Sequence, residues 1–200
     1  MPLVAEGIPA ELDGLDKNVR QAVVVEAGNG VTARVSAWER KDAGWAQVTS
    51  PIEAVIGRNG LAPLDEKREG DGRTPSGIFR LRRAFGYEDH VPTGLQYRRV
   101  TEQDFWIDEP ASPQYNQWVI GDVPAVSHEV LQRNDDLYKY AIIIEYNTYQ
   151  VVPGLGSAIF MHVWRGTDQP TAGCVAMAET NLLRFLQWLD IRQDPVIVIK

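Results

Sequence analysis

Short runs rich in β-branched residues, each closed off by Gly, Pro, Asn or Asp, recur along the whole chain. They cover 21–26, 31–37, 53–57, 78–81, 141–146, 158–164 and 196–199. Val, Ile and aromatic side chains suit the pleated, half-buried surface of a sheet, so runs of this length bounded by turn formers predict strands. Asn29-Gly30, between the first two runs, supplies the positive φ values of a tight hairpin. The fold class that follows is mainly β with a few short helices. One helix is expected from a start near Thr180, because Leu182, Phe185, Leu186 and Leu189 recur at helical spacing. A shorter one is expected over 127–133, with Ser127 as its cap.

At 200 residues, with 44% apolar and 24% charged side chains, the chain can bury one sizeable core. No repeat, low-complexity tract or linker divides it, so residues 1–200 are read as a single domain. Within it, 82–140 is rich in aromatics, Pro, Asp and Gln, and is expected to be an irregular insertion or covering segment. A net charge of -7 argues against a nucleic-acid partner, which needs clustered Lys and Arg to displace counterions. The one dense cationic stretch, Arg80-Leu81-Arg82-Arg83, is short. No run reaches the roughly 18 apolar residues of a membrane span, so no transmembrane segment is expected. Residues 1–6 lack the basic and apolar parts of a secretory leader. That leaves open both a cytoplasmic protein and one whose leader is absent from this sequence.

With a single cysteine, neither an internal disulfide nor a multi-cysteine zinc site can form, and Cys174 needs another explanation. On a strand, His162 shares a face with Phe160 and Trp164. The loop 165–170 is long enough to fold back and bring Cys174 beside His162, and Gly173 allows close approach of a ligand to the backbone. An imidazole within reach can take a thiol's proton and raise its reactive fraction. Backbone N–H groups around Gly173 and Cys174 can stabilise an oxyanion. Read alone, each residue has a plainer account: a buried Cys is often a small hydrophobe, and a strand His is often structural.

The stretch from His162 through Thr171-Ala172-Gly173-Cys174-Val175-Ala176-Met177 resembles the catalytic signature of the L,D-transpeptidase family. Upstream, Thr74-Pro75-Ser76-Gly77-Ile78-Phe79 resembles that family's Thr-Pro-x-Gly-x-Phe/Tyr element, in the matching order and at a matching distance. The resemblance spans roughly 20–200 and implies a β-sandwich or barrel with a helix after the catalytic Cys. It also implies acyl transfer on peptidoglycan stem peptides through a thioester on Cys174, with His162 as base and then acid, and Thr171 shaping the Gly173 turn. The compartment it implies is the periplasm or cell envelope. No cofactor is implied. Where the common pattern has His before Gly and Arg after Cys-Val, this chain has Ala172 and Ala176, closer to a variant subgroup. An L,D-carboxypeptidase or other peptidoglycan hydrolase using the same pair, and a non-catalytic cell-wall binding module, are therefore the alternatives.

Three further residues are candidates for substrate binding. Arg73 can pair with a carboxylate, and Trp164 can wall the site. Asn147 can also orient His162 as a third catalytic member, although the family often uses a backbone carbonyl for that task. His90 and His128 share no metal-ligand spacing with His162, and no metal is expected.

Overall fold

The computed structural model describes residues 7–200; residues 1–6, on which the leader reading turns, lie outside the described residues. A single turn, α1 (Ala10–Asp13), precedes β1 (Gln21–Ala27), β2 (Thr32–Lys41), β3 (Gly44–Gln47) and β4 (Ile52–Val55). Then come β5 (Leu61–Ala62), β6 (Thr74–Pro75), β7 (Gly77–Arg80), β8 (Arg83–Gly86) and β9 (Gln96–Arg99). Three more strands follow, β10 (Asp104–Ile107), β11 (Trp118–Ile120) and β12 (His128–Val130). The last part holds β13 (Tyr140–Ile143), β14 (Phe160–Val163), β15 (Val175–Met177), α2 (Glu179–Trp188) and β16 (Val196–Ile199).

Among the described residues, eleven strands form one sheet in the order β7-β16-β1-β2-β4-β15-β14-β13-β8-β9, with β3 on β2. The hairpin expected at 26–30 joins β1 to β2: Gly28 N–H donates to Thr32 O at 2.8 Å, and Gly30 has φ +68°. Strand alternation divides the interior. Val23 and Val25 of β1 face the main core, whereas Ala22 and Val24 face a smaller one with Leu12, Trp38 and Trp45. On β14, Met161 and Val163 enter the main core, while Phe160 joins Phe85, Trp106, Tyr138 and Cys174 in a third cluster.

The curled sheet packs its main core against α2, which buries Leu182, Phe185 and Leu186. Each such side chain stabilises the fold by roughly 1.5–3 kcal/mol relative to exposure. The helix starts at Glu179, just before the expected position, and Leu189 ends it in an extended conformation.

The segment 82–140 is more regular than its composition suggests. Strands β8 and β9 extend the main sheet beyond β13, and β11, β10 and β12 form a separate antiparallel sheet. The helix expected over 127–133 is strand β12 instead. Its residues pair with the buried β10, Glu129 opposite Trp106 and Val130 opposite Phe105, so sheet pairing overrides a weak local helical pattern. Buried Asn116 ties this small sheet to the rest. Its Oδ1 accepts from Trp106 Nε1 (2.8 Å) and Ala158 N (3.1 Å), and its Nδ2 donates to Asn147 O (2.7 Å).

Candidate active site

Strands β14 and β15 are parallel neighbours, with Met161 opposite Val175 and His162 opposite Ala176. Parallel neighbours cannot be joined by a two-residue turn, which is why the chain needs a long crossover between them. The register carries Cys174 to a position beside Phe160, and alternation then puts Cys174 and His162 on the same face of the sheet. Both are buried, at 7% and 8% exposure, and both line a cleft of about 290 Å3.

The turn before Cys174 is closed by hydroxyls. Thr171 Oγ1 donates to Cys174 O at 2.7 Å and accepts from Gly173 N at 3.1 Å. Thr74 Oγ1 donates to the same carbonyl at 3.3 Å and accepts from Gly57 N at 2.9 Å. The two sequence motifs, a hundred residues apart, therefore meet at the Cys174 carbonyl. Gly173 has φ +156°, and a Cβ there would lie 2.9 Å from Arg73 O and 3.3 Å from Ile159 Cδ1. Only glycine fits without displacing the Thr-Pro segment. The Gly173 amide is committed to Thr171, which narrows the expectation that it faces an oxyanion.

The thiol rests in backbone hydrogen bonds. Cys174 Sγ donates to Ala158 O and accepts from Phe160 N, each at 3.4 Å. Burial pushes the thiol up to about 12, the Glu129 charge adding to it, against the pull of the Phe160 amide and of Lys67 and Arg133. Burial pulls His162 down to about 4; its hydrogen bond to Val163 works upward, and Arg133 and Arg165 work downward. The resting pair is thus neutral thiol and neutral imidazole. His162 Nδ1 lies 2.7 Å from Val163 O, and a carbonyl can only accept, so Nδ1 carries the proton and Nε2 keeps its lone pair. Tyr138 packs edge-on against the imidazole, at 5.3 Å between centroids and 79° between planes.

Thr171, Gly173 and Trp164 line the cleft with the Cys-His pair. Two expected residues do not. Asn147, in the left-handed region at φ +51°, spends its amide on Val152 N and O and on Gly156 O, clamping its own loop. Orienting His162 falls instead to the Val163 carbonyl. Arg73 lies on an exposed loop; its amide donates to Asp71 Oδ1 at 2.8 Å, and its carbonyl abuts Gly173. The arginine that lines the cleft from this region is Arg58. It lies over Gly72, where a Cβ would come within 2.8 Å of its Nε. His128 Nδ1 approaches Val126 O at 2.7 Å, and its ring packs on Phe105.

Sequence reading did not single out Glu129, Tyr138, Asp108, Arg133 or Arg165, which also line the cleft. Asp108 and Glu129 come from β10–β12 neighbourhoods whose short strands carry no motif. Only the chain's long-range pairing brings them to the site.

The model of the YkuD family, the L,D-transpeptidase catalytic domain, matches residues 22–198. The chain belongs to this family of L,D-transpeptidase-type peptidoglycan enzymes. Among solved structures, the chain is similar to the helical cell shape determining protein Pgp2 from Campylobacter jejuni, with 18% identity and a TM-score of 0.45. The match covers 94% of this chain and 52% of that one, so the chain spans about half the length of that protein. No curated protein matches the chain.

Proposed function

We propose that the protein is a cysteine-dependent acyl-transfer enzyme of peptidoglycan stem peptides, with Cys174 as nucleophile and His162 as general base. The observation that carries this reading is the pairing of β14 with β15, which turns Cys174 and His162 onto one face of one cleft, the imidazole anchored through Nδ1. Its free Nε2 is the atom that must take the thiol proton.

In the reaction, Sγ leaves its bond to Ala158 O, gives its proton to His162 Nε2 and attacks the carbonyl of an amide between an L-centre and D-alanine. The oxyanion is held by the Cys174 amide, since that of Gly173 is engaged. The C–N bond breaks as the imidazolium protonates the departing amine, leaving a thioester on Cys174. An acceptor amine then gives its proton to Nε2 and displaces the thiol, forming a crosslink. Water in the acceptor's place makes the enzyme an L,D-carboxypeptidase. The compartment of such a substrate is the cell envelope. No helix among the described residues is long and apolar enough to cross a membrane.

Incubation with a stem tetrapeptide and an amine acceptor is expected to give a crosslinked product, with the rate falling at least about a hundredfold in His162→Gln. Release of free D-alanine alone makes the hydrolase the correct reading. Tight binding with neither product makes the protein a binding module.

A further inference from the structure

The side chain of Asn116 reaches the Cys174 thiol through one intermediary. Asn116 is 3% exposed, and an amide has two acceptor and two donor positions, all of them filled here. Besides the bonds to Trp106, Ala158 and Asn147, its Nδ2 donates to Tyr146 O at 3.1 Å. Three residues in the left-handed region meet on this amide: Asn116 itself at φ +57°, Asn147 at +51° and Ala158 at +53°. Asparagine visits that region readily, but alanine has no polar side chain to support it there. Such a conformation persists where its surroundings over-determine it. The preceding residue adds to the hold, since Tyr115 Oη accepts from Gly156 N at 3.0 Å and donates to Glu69.

Ala158 is also one of the two backbone partners of Cys174 Sγ, and the two pull in opposite directions. Phe160 N–H donates to the sulfur, which favours a thiolate. Ala158 O accepts the S–H, which favours a neutral thiol. The carbonyl aims at the sulfur only while residue 158 keeps its conformation. Turned away, it would leave Sγ with the Phe160 amide and the thiol easier to ionise. Trp106 couples the two partners, because its Nε1 donates to Asn116 while its ring packs edge-on against Phe160, at 5.1 Å between centroids.

We propose that Asn116 is a positioning residue for Cys174: by holding Ala158 left-handed it aims the Ala158 carbonyl at Sγ and keeps the thiol at rest. Asn116 is not among the residues that line the cleft, so it acts through Ala158, which is. Ser157 lines the cleft as well. A ligand filling the cleft therefore meets the segment that Asn116 and Tyr115 hold, and shifting that segment readies the nucleophile. For this last consequence the inference rests on the acyl-transfer reading; the placement of the thiol does not.

The chain has one cysteine, so the S–H stretching band in the infrared reports Cys174 alone. A thiol released from a carbonyl acceptor absorbs at higher frequency. In Asn116→Ala the band is expected to move up toward the position of a free thiol, and alkylation by iodoacetamide at pH 8, followed by intact mass, to quicken about tenfold. Adding Ala158→Gly, which adopts positive φ without strain, is expected to return the band and to bring the rate within about threefold of the unsubstituted chain. Loosened packing around the small sheet would not be reversed by glycine at 158. Ala158→Val leaves Asn116 in place and puts a β-branched residue where positive φ is strained. It is expected to move the band the same way, which keeps the test open if Asn116→Ala does not fold. A band that stays in place in either variant overturns the proposal, as does a shift that glycine does not reverse. Faster alkylation with an unmoved band reports wider access to the cleft and overturns it too. If the band moves and returns as expected while the unsubstituted chain forms no adduct with a stem tetrapeptide, the acyl-transfer reading fails and the placement of the thiol stands.

Discussion

His162 shows how one residue is tuned by its surroundings. A histidine has an ordinary value of 6.5, and burial brings this one to about 4. Between those values the unfolded chain binds the proton and the folded one does not, so stability is lost as pH falls from about 6.5 to about 4. The loss amounts to roughly 3 kcal/mol. Urea unfolding at pH 7 and pH 4 measures it: relative to His162→Gln, which has no imidazole to titrate, the unsubstituted chain is expected to lose that extra stability. Equal losses in the two would contradict the burial of a neutral imidazole. The same neutrality makes the resting thiol unreactive, because Sγ bound to Ala158 O and Phe160 N has no anionic character to offer. The proposed mechanism therefore requires that substrate entry free it. Cys174 and His162 were legible as a pair through the resemblance of 162–177 to the family signature, since the short loop between them alone left the plainer readings open, and the strand register puts both on one face. The orienting group was less legible, since any strand carbonyl can serve, and Asn147 was diverted to Val152 and Gly156 by its left-handed turn.

At the level of elements, the site is a junction between the turn 171–174 and the Thr74-Pro75 strand β6. Thr171 and Thr74 both donate to the Cys174 carbonyl, and Gly57 N–H holds Thr74 in turn. Gly173→Ala would push a methyl carbon to within 2.9 Å of Arg73 O from a backbone conformation that L residues rarely adopt. A cost of about 1–3 kcal/mol is expected from strain and displacement, read as a lowered urea midpoint. Activity should fall further than the stability loss explains, because the displaced segment carries Thr74, whose hydroxyl holds the carbonyl of the proposed nucleophile Cys174. An unchanged midpoint would mean that the two segments are not locked together. Helix α2 was readable because Leu182, Phe185 and Leu186 repeat over two turns against the main core. Strand β12 was not, since three residues cannot display a period, and its geometry comes from pairing with β10.

Across the whole molecule, one sheet path joins the early strand β1 and the late strand β16 to the site. Strand β16 pairs with β1 in parallel near one end of that path, while β15, β14 and β13 carry the face shared by Cys174 and His162 farther along it. The mainly β class and the late helix could be read from strand-length runs and one periodic stretch. The acidic wall could not, because Asp108 and Glu129 are near Cys174 only through a separate small sheet pinned by Asn116. Family membership accounts for the frame, and the chemistry depends on whether Cys174 forms a covalent bond with substrate. Intact-mass spectrometry after brief exposure to a purified stem tetrapeptide asks this directly. An added mass equal to the peptide less its terminal D-alanine, localised to Cys174 and lost in Cys174→Ala, is the predicted result. Peptide consumed with no adduct at any time point, or an adduct that persists in Cys174→Ala, would contradict the central claim.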